Sequence, residues 1–229
     1  MSALMCVVAE NKLASSCYHY FLRLESGTWV IWVSSHGRDT SFHQSVHTLK
    51  EGKAMPIDLE TFKTAYEKWV KDSLPDYQAG NMKEIIKRYP FIISDGIPWT
   101  SYKGQAAEQT FALVTSGGLY LKGRQPPFDA VSIHGDTSFR EIPKTVLQED
   151  IAIAHSHYDH SLAEQDINII FPIQRLIELE KENIIGKVAE THYSFSYVND
   201  VVTLVTESIP EFLSRIRTEG VDVLLLVPV

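Results

Sequence analysis

The residues best able to do chemistry lie at positions 155–160, in the sequence HSHYDH. Three imidazoles and one carboxylate fall within this short stretch, directly after the apolar sequence IAIA. Such side chains need polar partners when they are buried, so a cluster of them is costly to keep as part of a core. The pattern therefore favours a functional site. Two kinds of chemistry fit it: metal-assisted hydrolysis and the capture of a small polar substrate.

The first interpretation takes the cluster as HxHxDH, the motif of the metallo-β-lactamase-like hydrolases. Zinc ions that activate water would then be held by His155, His157, Asp159 and His160. The flanking sequence fits that family poorly, because the motif leads into SLAEQDINIIFP rather than into a turn of small residues. His192 is the one later histidine, and too little chain follows for the second half of that fold. The zinc site therefore stands as the alternative hypothesis.

Composition limits the partners that this chain can have. The 229 residues are 44% hydrophobic and 22% charged, which is ordinary for a globular protein with a sizeable core. The formal charge of −8 and the isoelectric point near 5.6 argue against a nucleic-acid partner or an anionic membrane surface. The two cysteines exclude a disulfide-rich scaffold, and no apolar run is long enough to cross a membrane. We expect a cytoplasmic protein.

Two segments with different patterns must position these residues. Residues 1–95 are predicted to form a small α+β segment, and residues 96–229 an α/β domain with a mainly parallel sheet flanked by helices. In the first segment we predict a hairpin of strands and two helices, over residues 17–24, 28–34, 56–71 (with Asp58 as N-cap) and 82–89.

In the second segment, FALVTSGGLYL predicts a strand followed by a tight turn at Gly117 and Gly118. Residues 151–154 are predicted to form a strand of the parallel sheet, whose carboxyl end delivers His155 to a ligand site. Helices are predicted from Pro172 to near Gly186, and from a capping box at residues 208–211 to Gly220, with VDVLLLV as a last buried strand.

Further polar residues flank the cluster. Asp136 and Arg140 are four positions apart in the turn-rich sequence GDTSFREIP, close enough for an ion pair or for joint capture of a substrate. Asp166 and Asn168 lie just before the helix that Pro172 begins. They can cap its free N–H groups or contact a substrate, and the sequence favours neither.

The order of motifs from about residue 98 to the end resembles one known family. This is the selenoprotein B subunit family of the glycine, sarcosine, betaine and D-proline reductases. The matching motifs, in chain order, are PWTSYKGQ, FALVTSGGLYLK, GDTSFREIP, IAIAHSHYDH, DINIIFPIQRL, NIIGKVAETHYSF and EGVDVLLLVPV. The combination is much more specific than any one motif, and HxHxDH then becomes a variant of the family's histidine-bearing segment.

The resemblance implies an oxidoreductase subunit that acts on a small amine or amino acid. It implies electrons from a thioredoxin-like dithiol donor, a partner subunit that carries a pyruvoyl group, and an oligomeric assembly. The candidate catalytic residues are Asp136, Arg140, His155 and Asp159. The candidate substrate-binding residues are Gly117, Gly118, Asp166 and Asn168.

The reactive residue of that family is a selenocysteine or cysteine in a loop just after the VDxxxL strand, which places it just beyond Val229. Two explanations stay open. The codon after Val229 is a UGA that encodes selenocysteine, or the chain is a paralogue that keeps the fold without the redox centre. Cys6 and Cys17 lie outside the resemblance, and we expect them to be inert thiols. A third hypothesis is a non-catalytic assembly subunit.

Overall fold

The computed structural model describes residues 58–92 and 104–229, together with the backbone of two short strands, β1 (Phe21–Arg23) and β2 (Trp29–Trp32). These strands pair antiparallel, which confirms the predicted hairpin over the part that is described. The rest of that hairpin, Cys6, Cys17 and most of the connection at residues 90–104 lie outside the described residues.

Two helices follow, α1 (Leu59–Gln78) and α2 (Met82–Arg88). Asp58 is the predicted N-cap, since one of its carboxylate oxygens accepts a hydrogen bond from the backbone N–H of Thr61 at 3.1 Å. The first helix runs seven residues beyond its predicted end, and the second agrees to within one residue. The aromatic face of α1 packs on α2 and on two residues of the later chain, Ile133 and Val201.

The main sheet has seven strands in the described chain. The strands that follow along the chain are β3 (Thr110–Thr115), β4 (Leu119–Leu121), β5 (Arg140–Pro143), β6 (Ile151–Ile153), β7 (Lys187–Val188), β8 (Thr191–Ser194) and β9 (Val223–Val227). Of these, β4 and β6 do not belong to the main sheet. The order in the sheet is β1-β2-β9-β3-β8-β5, with β7 beside β3. Strands β2, β9, β3 and β8 are parallel, while β1 and β5 pair antiparallel at the two edges. This confirms the α/β class with a mainly parallel sheet.

One strand lies in a different sheet from the predicted one. Strand β6 exists as predicted, but it pairs antiparallel with β4 in a separate two-stranded sheet. The prediction that residues 151–154 form a strand of the parallel sheet is therefore wrong. The tight turn after β3 reverses the chain into β4, and β6 pairs with that returning strand.

The remaining helices lie on the two faces of the main sheet. They are α3 (Ser161–Gln165), α4 (Ile173–Lys181), α5 (Val201–Thr203) and α6 (Ile209–Glu219). Alternate residues of β3 face opposite sides: Leu113 packs with α4, whereas Ala112 and Val114 pack with α6. Helix α4 ends well before the predicted position near Gly186, because Asn183 takes a left-handed conformation (φ 56°) that terminates it.

The predicted capping box at residues 208–211 is wrong. Ser208 has helical backbone angles and makes no side-chain cap, because α5 continues through a π-helical turn, Leu204–Ser208, directly into α6. The N-cap is Asp200, whose carboxylate accepts a hydrogen bond from the backbone N–H of Thr203 at 3.1 Å. Gly220 ends the helix in the left-handed conformation, as predicted. In the described part of the chain, none of the helices combines the length and the apolar character needed to cross a membrane.

Candidate functional site at the carboxyl edge of the sheet

Three parallel strands end together at one edge of the main sheet, which we call the carboxyl edge. Thr115 at the end of β3 is in register with Ser194 of β8 and Val227 of β9. Beyond the strands, the backbone N–H of Ser116 donates to the carbonyl of Val227 at 3.2 Å, and the N–H of Val229 donates to Oγ of Ser116 at 2.9 Å. The carboxyl ends of parallel strands are where α/β proteins usually bind ligands.

The two glycines of the tight turn join this edge to residues 155–160, which we call the His loop. Gly118 takes a left-handed conformation (φ 71°), and a Cβ atom there would lie 2.5 Å from the carbonyl oxygen of Ala154. The N–H of Ala154 donates to the carbonyl of Gly118 at 2.8 Å, and the hydroxyl of Tyr158 donates to the carbonyl of Gly117 at 3.0 Å. Only glycine permits this close approach.

The amide groups of both glycines are already used inside the protein. The N–H of Gly117 donates to Oγ1 of Thr115 at 3.0 Å, and the N–H of Gly118 donates to the carbonyl of Phe195 at 2.8 Å. Their observed role is to hold the His loop against the edge. A direct contact between these glycines and a substrate stays a prediction.

His155 is the buried member of the His loop, with 9% of its surface exposed. Its Nδ1 atom accepts a hydrogen bond from the backbone N–H of His157 at 3.2 Å, which leaves the proton of a neutral ring on Nε2. Among the described residues Nε2 has no hydrogen-bond partner, and it is not sealed from solvent. Rings of Tyr158 and Tyr197 lie edge-on to it, at centroid distances of 4.8 and 6.4 Å.

A second group of side chains supports the His loop from the side. The ring of Tyr197 stacks on His157 with centroids 3.8 Å apart. The hydroxyl of Tyr197 is hydrogen-bonded to Nδ2 of Asn199, which also donates to the carbonyl of Ile133 at 2.9 Å. The hydroxyl of Tyr89, just after α2, donates to the carbonyl of Asn199 at 3.0 Å. The stack is thus tied to the helical hairpin of the first segment.

Burial sets the protonation of these groups. Loss of solvent contact, with smaller repulsion from His157 and His160, lowers the pKa of His155 to about 4. Burial also lowers the pKa of His157 and raises the pKa values of Tyr158 and Tyr197 to about 12. At neutral pH the site therefore consists of uncharged imidazoles and phenols.

The geometry does not support the zinc site of the alternative hypothesis. Nowhere in the described chain do three His, Cys, Asp or Glu side chains come close enough to hold a metal ion. The proposed ligands point to different partners: Nδ1 of His160 lies 2.7 Å from the Glu164 carboxylate, and Asp159 accepts from the N–H of Ser161 at 3.0 Å. The turn spreads these side chains apart, so the HxHxDH spacing does not produce a cluster of ligands.

Asp136 lies in the loop before β5 and Arg140 is the first residue of that strand, and their charged groups are 3.8 Å apart. Most of their hydrogen-bonding groups hold that loop. Asp136 accepts from the N–H of Ser138 and the N–H of Asp129, both at 2.9 Å. Arg140 donates to the carbonyls of Pro126 and Phe139, donates to Oγ of Ser138, and lies 4.2 Å from the ring centroid of Phe128. The predicted ion pair exists, and its catalytic role stays a prediction.

The other predicted residues also have local partners. Asp166 accepts from the N–H of Asn168 at 3.0 Å, and Nδ2 of Asn168 donates to Asp166 and to Gln174. Asp166 therefore caps a short 3-10 turn, Ile167–Ile169, and not the helix that Pro172 begins, for which it was predicted. Asn168 does reach that helix, since its Oδ1 atom accepts from the N–H of Gln174 in α4 at 3.3 Å. Asp159 is exposed and begins α3 through its bond to Ser161. Substrate contact by Asp166 and Asn168 and a catalytic role for Asp159 stay predictions.

His192 is a core residue. It is fully buried on β8, and its Nδ1 atom accepts a hydrogen bond from the backbone N–H of Leu113 at 2.9 Å. Its Nε2 atom has no partner among the described residues. Burial lowers its pKa to about 3, so the ring is neutral in the folded protein.

Comparison of the sequence with known proteins shows the family of this chain. The model of the glycine/sarcosine/betaine reductase selenoprotein B family matches residues 83–228, which is more than half of the chain. The chain belongs to this selenoprotein B family. The match begins inside α2, somewhat before the start of the resemblance read from motifs.

Individual relatives of the selenoprotein B family agree with that result. The chain is 33% identical over 129 residues to the D-proline reductase subunit gamma of Acetoanaerobium sticklandii, covering 56% of this chain and 52% of the relative. It is 25% identical over 146 residues to the glycine reductase complex component B subunit gamma of Peptoclostridium litorale, covering 63% and 33%. The chain thus spans about half or less of these relatives. No solved structure matches it.

Sequence patterns missed several side chains at this site. Ser116 bonds to Val229 at the carboxyl edge, Tyr197 stacks on His157 of the His loop, and Asn199 bonds to Tyr197, and only the fold brings them to these positions. One available signal was position relative to the strands, because Ser116, Tyr197 and Asn199 follow within a few residues of the ends of β3 and β8. Polar and aromatic residues directly after buried strands are candidates for a shared edge.

Proposed function

We propose that the chain is the selenoprotein B-type subunit of a reductase that cleaves a carbon–nitrogen bond of a small amino acid or amine. The supporting observation is the carboxyl edge, where the turn at Gly117 and Gly118, the His loop and the last residues of the chain come together. Relatives named as D-proline reductase and glycine reductase subunits favour this class of reaction.

The reaction sets a requirement for electrons. Reductive cleavage of a carbon–nitrogen bond takes up two electrons and two protons, which a dithiol supplies when it is oxidised to a disulfide. The nucleophile is then a thiolate or selenolate of low pKa. We propose that this residue follows Val229, whose amide is held by Ser116 at the carboxyl edge. A pyruvoyl group on a partner subunit and a thioredoxin-like dithiol donor complete the proposal, and a reducing cytoplasm suits both.

The residues of this chain would contribute binding and orientation. His155 offers an uncharged Nε2–H beside the edge, and Tyr158 and Tyr197 cover its ring. Apolar ring faces exclude water from a small substrate, while a single fixed donor orients an acceptor group on it. The glycine turn keeps this donor close to the last residues of β9.

The nucleotide sequence after codon 229 tests the proposal. We expect a UGA codon followed by an open reading frame that begins with a short loop containing Gly, Cys or Pro. The protein from its natural source should then have a larger mass than the 229-residue chain. A stop codon other than UGA, with no frame downstream, would contradict the proposed position of the reactive residue.

Reconstitution tests the activity itself. The extended chain, combined with the pyruvoyl subunit and a dithiol, should release ammonia or an amine from glycine, sarcosine or betaine, or open the ring of D-proline to a linear amino acid. The 229-residue chain under the same conditions is the control, and we expect no turnover from it. Robust turnover by that shorter chain would overturn the proposal that the redox centre lies beyond Val229.

A further inference from the structure

The His loop holds one imidazole in a defined state, and the contacts around it indicate what that imidazole can do. The N–H of His157 donates to Nδ1 of His155, so Nδ1 cannot carry a proton while this hydrogen bond exists. The polar atom of the ring that has no partner among residues 58–92 and 104–229 is then Nε2–H. Such a group donates a hydrogen bond, whereas a general base would need an unprotonated nitrogen facing the substrate.

The hydrogen bond to Nδ1 depends on the position of the His157 backbone. The His157 ring is exposed to solvent on one side and stacked on Tyr197 on the other, at 3.8 Å between centroids with the planes 24° apart. Tyr197 in turn is bonded through its hydroxyl to Asn199, which is 7% exposed and fixed by the carbonyl of Ile133. These contacts form a continuous chain of side chains from the core to His155.

We propose that His157, Tyr197 and Asn199 are positioning residues that hold His155 with its proton on Nε2, so that the site presents a hydrogen-bond donor to an acceptor group. This inference rests on the proposed function only for the identity of that group. In a reductase of amino acids it is a carboxylate oxygen of the substrate or the chalcogenolate itself. The state of the His155 ring is a property of the isolated chain.

The surroundings of the ring agree with this assignment. Among the described residues, the titratable groups that face His155 are His157, His160, Tyr158 and Tyr197, and none of these is a carboxylic acid that would stabilise an imidazolium. The burial that lowers the pKa of His155 acts in the same direction. An uncharged ring with a fixed tautomer gives the site the same donor across the physiological pH range.

Nitrogen NMR of the imidazole rings in the 229-residue protein tests the proposal without any assay of activity. Spectra that correlate ring nitrogens with ring carbon-bound protons distinguish the two tautomers and the imidazolium. Loss of one set of signals in His155→Gln identifies His155. We expect Nδ1 without a proton and Nε2 with one, from about pH 5.5 to about pH 8.5. A proton on Nδ1, or an imidazolium that appears within this range, would overturn the proposal.

Variants of Tyr197 test the positioning chain. In Tyr197→Leu we expect a mixture of tautomers at His155, because the stack that fixes the His157 backbone is lost. The matched control is Tyr120→Leu, which removes a half-buried tyrosine of β4 outside the stack and should leave the His155 signals unchanged. If Tyr197→Leu folds and the His155 spectrum is native, the chain of positioning residues is refuted.

A milder variant keeps the test decisive if Tyr197→Leu does not fold. Tyr197→Phe retains the stacked ring and removes only the hydroxyl bonded to Asn199. We expect the native tautomer with broadened His157 signals, and unchanged sharp signals would exclude Asn199 from the chain. Failure of the reductase proposal would leave all of these results intact, because none of them depends on turnover.

Discussion

Two polar regions of this molecule were equal candidates from their sequences and differ in how they use their hydrogen-bonding groups. In the first region, residues 136–140, the side chains of Asp136 and Arg140 direct most of their hydrogen bonds to backbone groups of residues 126–139. The His loop is fixed by its backbone and by the hydroxyl of Tyr158, and Nε2 of His155 has no hydrogen-bond partner within the described part of the chain. A charged pair whose groups already bond inside the protein is therefore weaker support for a binding role than a rigidly held donor with no partner among the described residues.

The largest expected effect is a loss of stability when Arg140 of the first region, residues 136–140, is replaced. Arg140→Leu should lower the free energy of unfolding by about 3 kcal/mol, since it removes several hydrogen bonds and leaves Asp136 partly buried without its cation. Urea unfolding measures this change. The control is Arg175→Leu, whose ion pair with Glu178 is exposed and should contribute less than about 1 kcal/mol. Native stability of Arg140→Leu would make Arg140 a candidate for substrate binding again.

The next effect belongs to the second region. In the assembled reductase, His155→Ala should lower kcat/KM by about 100-fold, because the donor at the carboxyl edge is lost. His155→Gln places an amide N–H near the position of Nε2 and should recover part of that loss. Steady-state kinetics of the two variants gives the comparison. Equal activity of His155→Ala and the native enzyme would remove the functional distinction between the two regions.

His192 provides a contrast with His155, because its Nδ1 atom accepts a hydrogen bond from the backbone of a core strand. His192→Leu should lower the free energy of unfolding by about 1–3 kcal/mol at neutral pH, since the N–H of Leu113 loses its acceptor. Thermal and urea unfolding measure this loss. The variant should leave kcat/KM of the assembled enzyme unchanged, and a selective loss of activity would place His192 in the site.

Stability should also depend on pH through these two rings. The pKa of His155 is lowered to about 4 and that of His192 to about 3, so below about pH 6.5 the unfolded chain binds protons that the folded chain does not. The free energy of unfolding should therefore fall as the pH falls from about 6.5 to about 4, and fall less steeply in His192→Leu. Unfolding curves at several pH values check the slope. A level stability over this window would contradict the neutral rings.

The smallest effect concerns the helix caps. Asp166→Ala should lower the free energy of unfolding by about 0.5–1.5 kcal/mol, because the N–H of Asn168 loses its acceptor. Asp159→Ala is the matched variant, since Asp159 caps the N–H of Ser161 in the same way. Neither should change KM. A rise in KM confined to Asp166→Ala would show that its carboxylate binds substrate.

Patterns along the chain predicted local structure, such as helix ends, better than they predicted which strands pair. The cap at Asp58 and the helix end at Gly220 follow from interactions within a few residues, and they are found as expected. The pairing of β6 with β4 depends on how a turn reverses the chain, and strand composition does not encode that. The capping box at residues 208–211 had the right residue types, but a helix already under way needs no cap there.

The site was predicted in part for the same reason. His155 was found because imidazoles are rare and clustered in this sequence. Tyr197 and Asn199 were missed because a single tyrosine and a single asparagine carry no signal until the fold brings them beside the His loop. The sequence also could not show that the hydrogen bonds of Asp136 are used up within its own loop.

The π-helical turn at Leu204–Ser208 has a consequence for comparing related chains. A turn of this kind carries one residue more than regular α-helix needs between two fixed points. Here the fixed points are the cap at Asp200 and the buried face that begins at Ile209. Relatives can therefore lack a single residue in this stretch and keep both ends in phase. A one-residue gap at residues 204–208 in an alignment with a relative would then mark a change from π-helical to α-helical winding. Deletion of the exposed Thr206 should be tolerated far better than deletion of a residue one turn later, within α6.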